Sequence, residues 1–113
     1  MSLGIKSLFN DMWDGAQQEL QSLETEQLTS VKEQLIELST VVARIEAEQA
    51  IGTISNEKAK LKLNSAKQAS ENVLLKVEGI ALRKAEVIIN SALQSVADLV
   101  NGALGFQLIE FGD

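Results

Sequence analysis

Four residue types are absent from this chain of 113 residues: proline, cysteine, histidine and tyrosine. Without cysteine there is no disulfide and no thiolate metal site, so the fold must be held together by packing alone. Without histidine and tyrosine, only carboxylates, lysine, arginine, serine and threonine remain for acid–base or nucleophilic chemistry. The sequence also has no phosphate-binding glycine loop and no dinucleotide motif. We therefore expect no enzyme activity, no catalytic or metal-binding residue, no cofactor and no small-molecule substrate.

The abundant residue types favour helices. Ala, Leu, Glu, Gln, Lys and Ser dominate the chain, and most of them are better suited to helix interiors than to strands. The sequence therefore predicts an all-α protein. At this length the chain has room for one small core, so we predict a single domain over residues 1–113.

Residues 1–16 have the pattern of an amphipathic helix. Their apolar side chains recur at spacings of three and four, and they are Ile5, Leu8, Phe9, Met12, Trp13 and Ala16. The segment has one lysine and two aspartates, whereas helices that bind membrane surfaces usually have several basic residues on the polar face. We favour packing against the protein for Leu8, Phe9, Met12 and Trp13. A peripheral membrane anchor is the alternative.

A coiled-coil spacing follows this segment. From Leu28 to Ile45 the apolar residues alternate steps of three and four, and upstream the pattern shifts by one residue at Gln27. It ends at Gly52, and the residues that follow Gly52 include several that cap helix N-termini. We predict helix 1 over 17–51, a turn over 52–55, helix 2 over 56–104 and an apolar tail over 105–113.

The distribution of charge supports a hairpin. Residues 1–52 hold nine acidic and three basic side chains, residues 53–84 hold three acidic and seven basic, and residues 85–113 hold four acidic and no basic ones. Folding the chain at the turn brings Glu48 near Lys58 and the apolar start of the chain near its apolar end. The sequence therefore predicts a long antiparallel helical hairpin, a two-helix coiled coil, with a short amphipathic N-terminal segment.

Helix 2 carries a second apolar series that the hairpin leaves uncovered. Its members recur every seven residues, nearly opposite the intrachain seam, and are Ile54, Leu61, Gln68, Leu75, Leu82, Ile89, Val96 and Ala103. Chance in a chain rich in Leu and Ala is one explanation of the series. We predict instead that its large apolar members form an interface which completes a bundle by oligomerisation. Phe106, Ile109 and Phe111 of the tail are expected to dock on a neighbouring chain.

The most basic stretch is EKAKLKLNSAK, residues 57–67. It contains no aromatic residue that could stack on bases, and the net charge of the chain is −6, which opposes binding to phosphates. We interpret the stretch as the electrostatic complement of the acidic first helix. No nucleic-acid partner is expected.

These patterns together predict a non-enzymatic structural or assembly protein. Its partner would be another copy of the chain or another helical protein, for example in a phage virion or a secretion apparatus. No signal peptide is visible, and Asp98 with several amides makes the C-terminal helix too polar for a transmembrane segment. We expect a cytoplasmic or virion-associated location.

One further interpretation comes from MWDGAQQELQSL, residues 12–23. This stretch resembles the W-x-G segment of the small helical-hairpin proteins exported by type VII secretion, and Trp13 and Gly15 match it. In those proteins a full helix precedes the motif and a tyrosine signal follows near the C-terminus. Here only a dozen residues precede Trp13, and the chain has no tyrosine. The resemblance implies a secreted hairpin that pairs with a different helical chain.

Overall fold

The computed structural model describes residues 3–110 of the chain. Within that range the protein is all α-helical, as predicted, and has no strand. The helices are α1 (Ile5–Gly15), α2 (Gln17–Leu20), α3 (Thr25–Ala50), α4 (Asn56–Leu75) and α5 (Leu82–Leu104). The four longer helices form the body of the molecule.

α3 and α4 are the two arms of an antiparallel hairpin. α3 ends at Ala50, Gly52 adopts a left-handed φ of 74°, and the Ser55 side chain caps α4 by accepting a hydrogen bond from the backbone N–H of Lys58 at 3.1 Å. The turn therefore lies at the predicted place. Near the turn, the Lys62 ammonium lies 3.0 Å from the Glu48 carboxylate, one helical turn beyond the predicted pairing of Glu48 with Lys58.

The single helices predicted over 17–51 and 56–104 are wrong. Residues 21–24 separate α2 from α3, and residues 76–81 separate α4 from α5. At both places the chain reverses direction, so α1 packs back on α3 and α5 packs back on α4. The predicted long hairpin is therefore folded in two near its middle.

The two reversals lie together at one end of the molecule, and the Gln27 side chain joins them. Its Oε1 accepts a hydrogen bond from the backbone N–H of Glu24 at 2.8 Å, which caps α3, and its Nε2 donates to the carbonyl of Glu78 at 2.8 Å. Gly79 follows with a left-handed φ of 91°, and a Cβ at Gly79 would collide with the Gln27 amide. The shift of the apolar pattern at Gln27 therefore marks a chain reversal, not a small irregularity in one helix.

α1 and α5 form the other antiparallel pair of the bundle. Ser95 Oγ donates to the carbonyl of Asp11 at 3.0 Å, and a Cβ on Gly15 would collide with the Ser95 side chain. On α2, the Glu19 carboxylate lies 3.9 Å from the Lys84 ammonium. The apolar start of the chain thus lies against its apolar end, as folding at the turn predicts.

The core runs between the four long helices, and α5 contributes most to it. Eight residues of α5 are buried, namely Ala85, Ile88, Ile89, Ala92, Leu93, Val96, Val100 and Leu104. α3 adds Val31, Leu35, Leu38, Val42 and Ile45 from the predicted coiled-coil seam. The wide apolar face of α5 is therefore covered by the protein's own helices, and the chain forms a bundle by itself.

Replacing Gln27 by Ala removes the side-chain bonds to the Glu24 amide and the Glu78 carbonyl. We expect the free energy of unfolding to fall by about 1–3 kcal/mol, since a helix cap and a bond between two loops are lost together. Urea denaturation followed by far-UV circular dichroism measures the change. Gln94→Ala on the exposed side of α5 is the matched control, with an expected change below about 0.5 kcal/mol. Equal losses in the two variants would show that the Gln27 bridge contributes nothing specific.

Candidate interaction surfaces

The residues predicted to form a second heptad interface are divided between the surface and the core. Leu61, Leu75 and Leu82 are 66%, 37% and 55% exposed, Ile54 is half-buried, and Ile89 and Val96 are 0% exposed. They do not form one stripe because the chain reverses between Leu75 and Leu82. The expectation that Ile89 and Val96 meet another chain is corrected, since both pack inside their own bundle.

The described part of the tail packs on its own chain. Asn101 holds it, because the backbone N–H groups of Leu108 and Ile109 both donate to Asn101 Oδ1 at 2.9 Å, and Asn101 Nδ2 donates to the Ile109 carbonyl at 3.0 Å. Leu108 and Ile109 are buried, and Phe106 packs half-buried against the core. The expected docking of Ile109 on a neighbour is therefore corrected, since Ile109 is buried in its own chain, whereas docking of Phe106 stays a prediction. Phe111 lies outside the described residues.

The four N-terminal candidates for a membrane or packing anchor lie against the core. Leu8 and Met12 are buried, and Met12 Sδ lies 3.6 Å from the Ser39 hydroxyl on α3. Phe9 and Trp13 are half-buried against the core, with their ring centroids 5.8 Å apart. Insertion of these side chains into a membrane would require α1 to leave the bundle.

A groove of about 460 Å³ opens between α4, α5 and the tail. Its apolar floor is formed by Leu63, Leu93, Leu108 and Ile109, all of them buried, and its rim carries Glu57, Lys60, Lys67 and Glu110. This volume is in the range of small-molecule pockets. The rim has charges of both signs and the floor is apolar, so the groove can hold an apolar group.

Two lysines of the basic stretch are paired with carboxylates. Lys62 meets Glu48 of α3, as expected for a complement to the acidic first helix. Lys60 lies 3.0 Å from Glu110 of the tail, at the rim of the groove. This second pair was not predicted from the sequence, because the tail was expected to dock on a neighbouring chain. Both pairs are largely exposed, so each contributes only about 0–1 kcal/mol.

Glu71 is a partly buried carboxylate on α4. Burial raises the pKa of Glu71, the Lys67 ammonium opposes this, and the nearby Glu86 carboxylate on α5 adds to the increase. Across residues 3–110 no group of three acidic side chains is placed to hold a metal ion. The contact between α4 and α5 therefore includes the Glu71 carboxylate, whose charged form is disfavoured in the folded protein.

Among the described residues, α5 is the only helix long and apolar enough to cross a membrane. A core helix satisfies the same criterion, and α5 has more buried residues than any other helix of the bundle. The expectation that Asp98 and several amides make this helix too polar for such a test is therefore corrected, and 44% of the tested segment is buried inside the bundle.

Comparison of the chain with family models, curated proteins and solved structures gives no match. In the segment that resembles W-x-G proteins, Trp13 and Gly15 lie in the last turn of α1, and Gly15 faces Ser95 of α5.

Replacing Asn101 by Ala removes three hydrogen bonds between α5 and the tail. Because Ala suits a helix at least as well as Asn, the loss should be confined to the tail. We expect the amides of Leu108 and Ile109 to exchange with solvent much faster and the free energy of unfolding to fall by about 1–3 kcal/mol. Hydrogen exchange measured by NMR or mass spectrometry tests this. Asn72→Ala on the exposed side of α4 is the control, and unchanged tail protection in Asn101→Ala would show that other contacts hold the tail.

Replacing Glu71 by Gln should stabilise the protein at neutral pH. The raised pKa means that the folded state favours protonated Glu71, so its contribution to stability is present at acid pH and is lost as the pH rises through the pKa of the folded state. The advantage of Gln should therefore be seen at pH 7 and disappear below about pH 4, where a glutamate is protonated in both states. Guanidinium denaturation at both pH values measures it. Glu33→Gln, an exposed site with the same change of net charge, corrects for the overall charge; equal effects of the two variants at pH 7 would contradict this assignment.

Proposed function

We propose that this protein is a non-enzymatic assembly protein, a small helical bundle that associates with other copies of itself. The observation that supports this is a set of leucines exposed to water along α4 and at the start of α5. Leu61 and Leu82 are more than half exposed, and Leu75 is more than one-third exposed. Single exposed leucines are common on protein surfaces, but Leu61 and Leu75 are two heptads apart and so share one face of α4.

The polar residues around these leucines also suit an interface between helices. Gln68 lies midway between Leu61 and Leu75 on the same face, and it is exposed. In helical assemblies, one polar residue within an apolar stripe fixes the register and the number of chains, because other arrangements leave it unpaired. The exposed face of α4 that carries Leu61, Gln68 and Leu75 therefore combines apolar side chains with a polar residue that can fix the register of an interface.

The residue types present in the chain are consistent with a binding role. The sequence supplies no histidine, cysteine or tyrosine, and the groove beside the tail has an apolar floor and a rim of mixed charge. A setting in a repeated particle, such as a phage virion or a secretion apparatus, would suit a small bundle with one self-complementary face. Another helical protein could occupy the same face, and that is the main alternative partner.

The peripheral membrane alternative is less well supported. It required the two apolar ends of the chain to be available to lipid, whereas Leu8, Met12 and Ile109 are buried in the bundle. The proposed function therefore places the contact surface on α4 and the start of α5, with Leu61, Leu75 and Leu82 as the principal residues.

Sedimentation equilibrium of the purified chain, without detergent and over a wide range of concentrations, tests self-association. We expect the wild type to form an oligomer and the double variant Leu61→Glu/Leu82→Glu to dissociate at least about tenfold more readily, since each buried leucine contributes about 1.5–3 kcal/mol. Far-UV circular dichroism should be unchanged, because both side chains are exposed in the monomer.

Leu99→Glu is the matched control for this experiment. Leu99 is an exposed leucine of α5 that lies outside the heptad series, so its replacement introduces one glutamate, half the charge of the double variant, without touching the proposed surface. The oligomer should persist in this variant. A wild type that remains monomeric at every concentration would contradict self-association and direct attention to a different helical partner.

A further inference from the structure

The groove between α4, α5 and the tail is bounded by elements that the fold holds in place. One wall is the stretch of α4 from Glu57 to Lys67, about 15 Å long at the rise of a helix. The opposite wall includes the tail, which Asn101 fixes through three hydrogen bonds. The ion pair of Lys60 with Glu110 joins the two walls at 3.0 Å. The groove is therefore a built feature of the folded chain.

The floor of the groove is apolar. Leu63 of α4, Leu93 of α5 and Leu108 and Ile109 of the tail form it. The volume of about 460 Å³ is sufficient for one small molecule. In water such a floor favours an apolar occupant, because each methylene group that a ligand buries strengthens binding about fourfold.

Lys67 contributes a charge to the rim that has no close partner. Of the lysines in residues 3–110, Lys67 and Lys84 are half-buried and the others are exposed. Lys84 lies 3.9 Å from the Glu19 carboxylate, whereas no carboxylate of the described residues lies within ion-pairing distance of Lys67. An ammonium group that is partly removed from water without a counter-charge is unfavourable. The rim therefore favours an anion at Lys67.

The neighbours of Lys67 on α4 leave this position open to an external anion. Burial raises the pKa of Glu71, one turn further along the helix, so the charged form of its carboxylate is disfavoured. Asn64 is exposed and also lines the groove. Residues three apart lie on the same side of a helix, so the Asn64 amide and the Lys67 ammonium can donate to one anion. A carboxylate suits them, since its two oxygens accept hydrogen bonds from two donors.

The acidic residues of the rim do not favour a cation in the same way. The Glu110 carboxylate is already paired with Lys60. Glu57 is exposed to water and lies in the first turn of α4, where the helix dipole stabilises a negative charge. The half-buried Lys67 is therefore the charge of the rim that gains most from a ligand.

We propose that the groove binds one single-chain amphiphile with a carboxylate head, for which decanoate is the probe. The carboxylate lies at Lys67 and Asn64, and the hydrocarbon chain covers Leu63, Leu93 and Ile109. The ligand supplies a counter-charge to Lys67 and removes the apolar floor from water. An uncharged alkyl chain would leave the ammonium unpaired, and a cationic head would be repelled by it.

This binding site goes beyond the proposed function, and the two can fail separately. Leu61 lines the groove and also belongs to the surface proposed for self-association. Ligand binding is therefore measured at a protein concentration at which sedimentation shows a single species. A chain that self-associates but does not bind decanoate would refute only the ligand site, and a monomer that binds decanoate would refute only self-association.

Titration of the isotopically labelled protein with decanoate, kept below the concentration at which it forms micelles and followed by amide NMR, tests the site. We expect saturable shifts of the Leu63, Leu93 and Ile109 amides that fit one site. Decyltrimethylammonium has the same chain and the opposite head charge, and it should bind about tenfold or more weakly.

Two variants test recognition of the head group. Lys67→Gln should weaken decanoate binding about tenfold, since a charged hydrogen bond is lost. Lys32→Gln, at an exposed site of α3 outside the groove, has the same change of net charge and should bind as the wild type does. Asn64→Glu places a carboxylate beside Lys67 and should also weaken binding about tenfold. Asn72→Glu, exposed on α4 outside the groove, is its control.

Four results would overturn the proposal. Equal affinity for decanoate and decyltrimethylammonium would show that the floor takes any alkyl chain, and unchanged affinity in a folded Lys67→Gln variant would show that Lys67 does not recognise the head. Shifts that do not saturate, or that fall mainly outside the groove, would show no defined site. Shifts of the groove amides when the protein is diluted without ligand would assign the groove to a second copy of the chain. If Lys67→Gln does not fold, the comparison of the two amphiphiles on the wild type decides.

Discussion

The side-chain amide of Gln27 connects two reversals of the chain that are distant in sequence. One end of the amide caps α3 through the Glu24 N–H, and the other donates to the Glu78 carbonyl in the loop before α5. A glutamine suits this position because it can accept and donate at once. Gly79 completes the arrangement, since any larger residue would occupy the space of the amide. These contacts hold the two loops together at the place where α1 turns back on α3 and α5 turns back on α4.

Once the chain is folded in two, most of the apolar surface that a long hairpin would leave exposed to water is covered. Ile89 and Val96 are enclosed in the bundle, and Asn101 holds the tail so that Leu108 and Ile109 are buried. What remains exposed is a smaller set of leucines on α4 and at the start of α5. This change matters for function, because an interface expected along the whole of helix 2 is reduced to α4 and the start of α5.

The candidate site was therefore only partly predictable from sequence. The seven-residue spacing identified Leu61 and Leu82 together with Ile89 and Val96, since periodicity depends only on position along one helix. The spacing could not separate the exposed leucines from the buried Ile89 and Val96, because the exposure of each residue depends on where the predicted helix 2 is interrupted. A signal was present at Gln27, where the apolar pattern shifts, but a shift in phase is also compatible with an unbroken coiled coil.

The sequence by itself determined the all-α class, the turn after α3, and the pairing of the two ends of the chain, since helix propensity, caps and blocks of charge act locally or between large segments. Only the tertiary structure decided that the long hairpin closes on itself. Gly79 disfavours a continuous helix by only about 1 kcal/mol, so the local sequence does not decide between a continuous helix and a chain reversal at 76–81. The closed bundle covers the apolar face of α5 with segments of the same chain, and this avoids the loss of translational and rotational freedom that covering it with a second chain would entail.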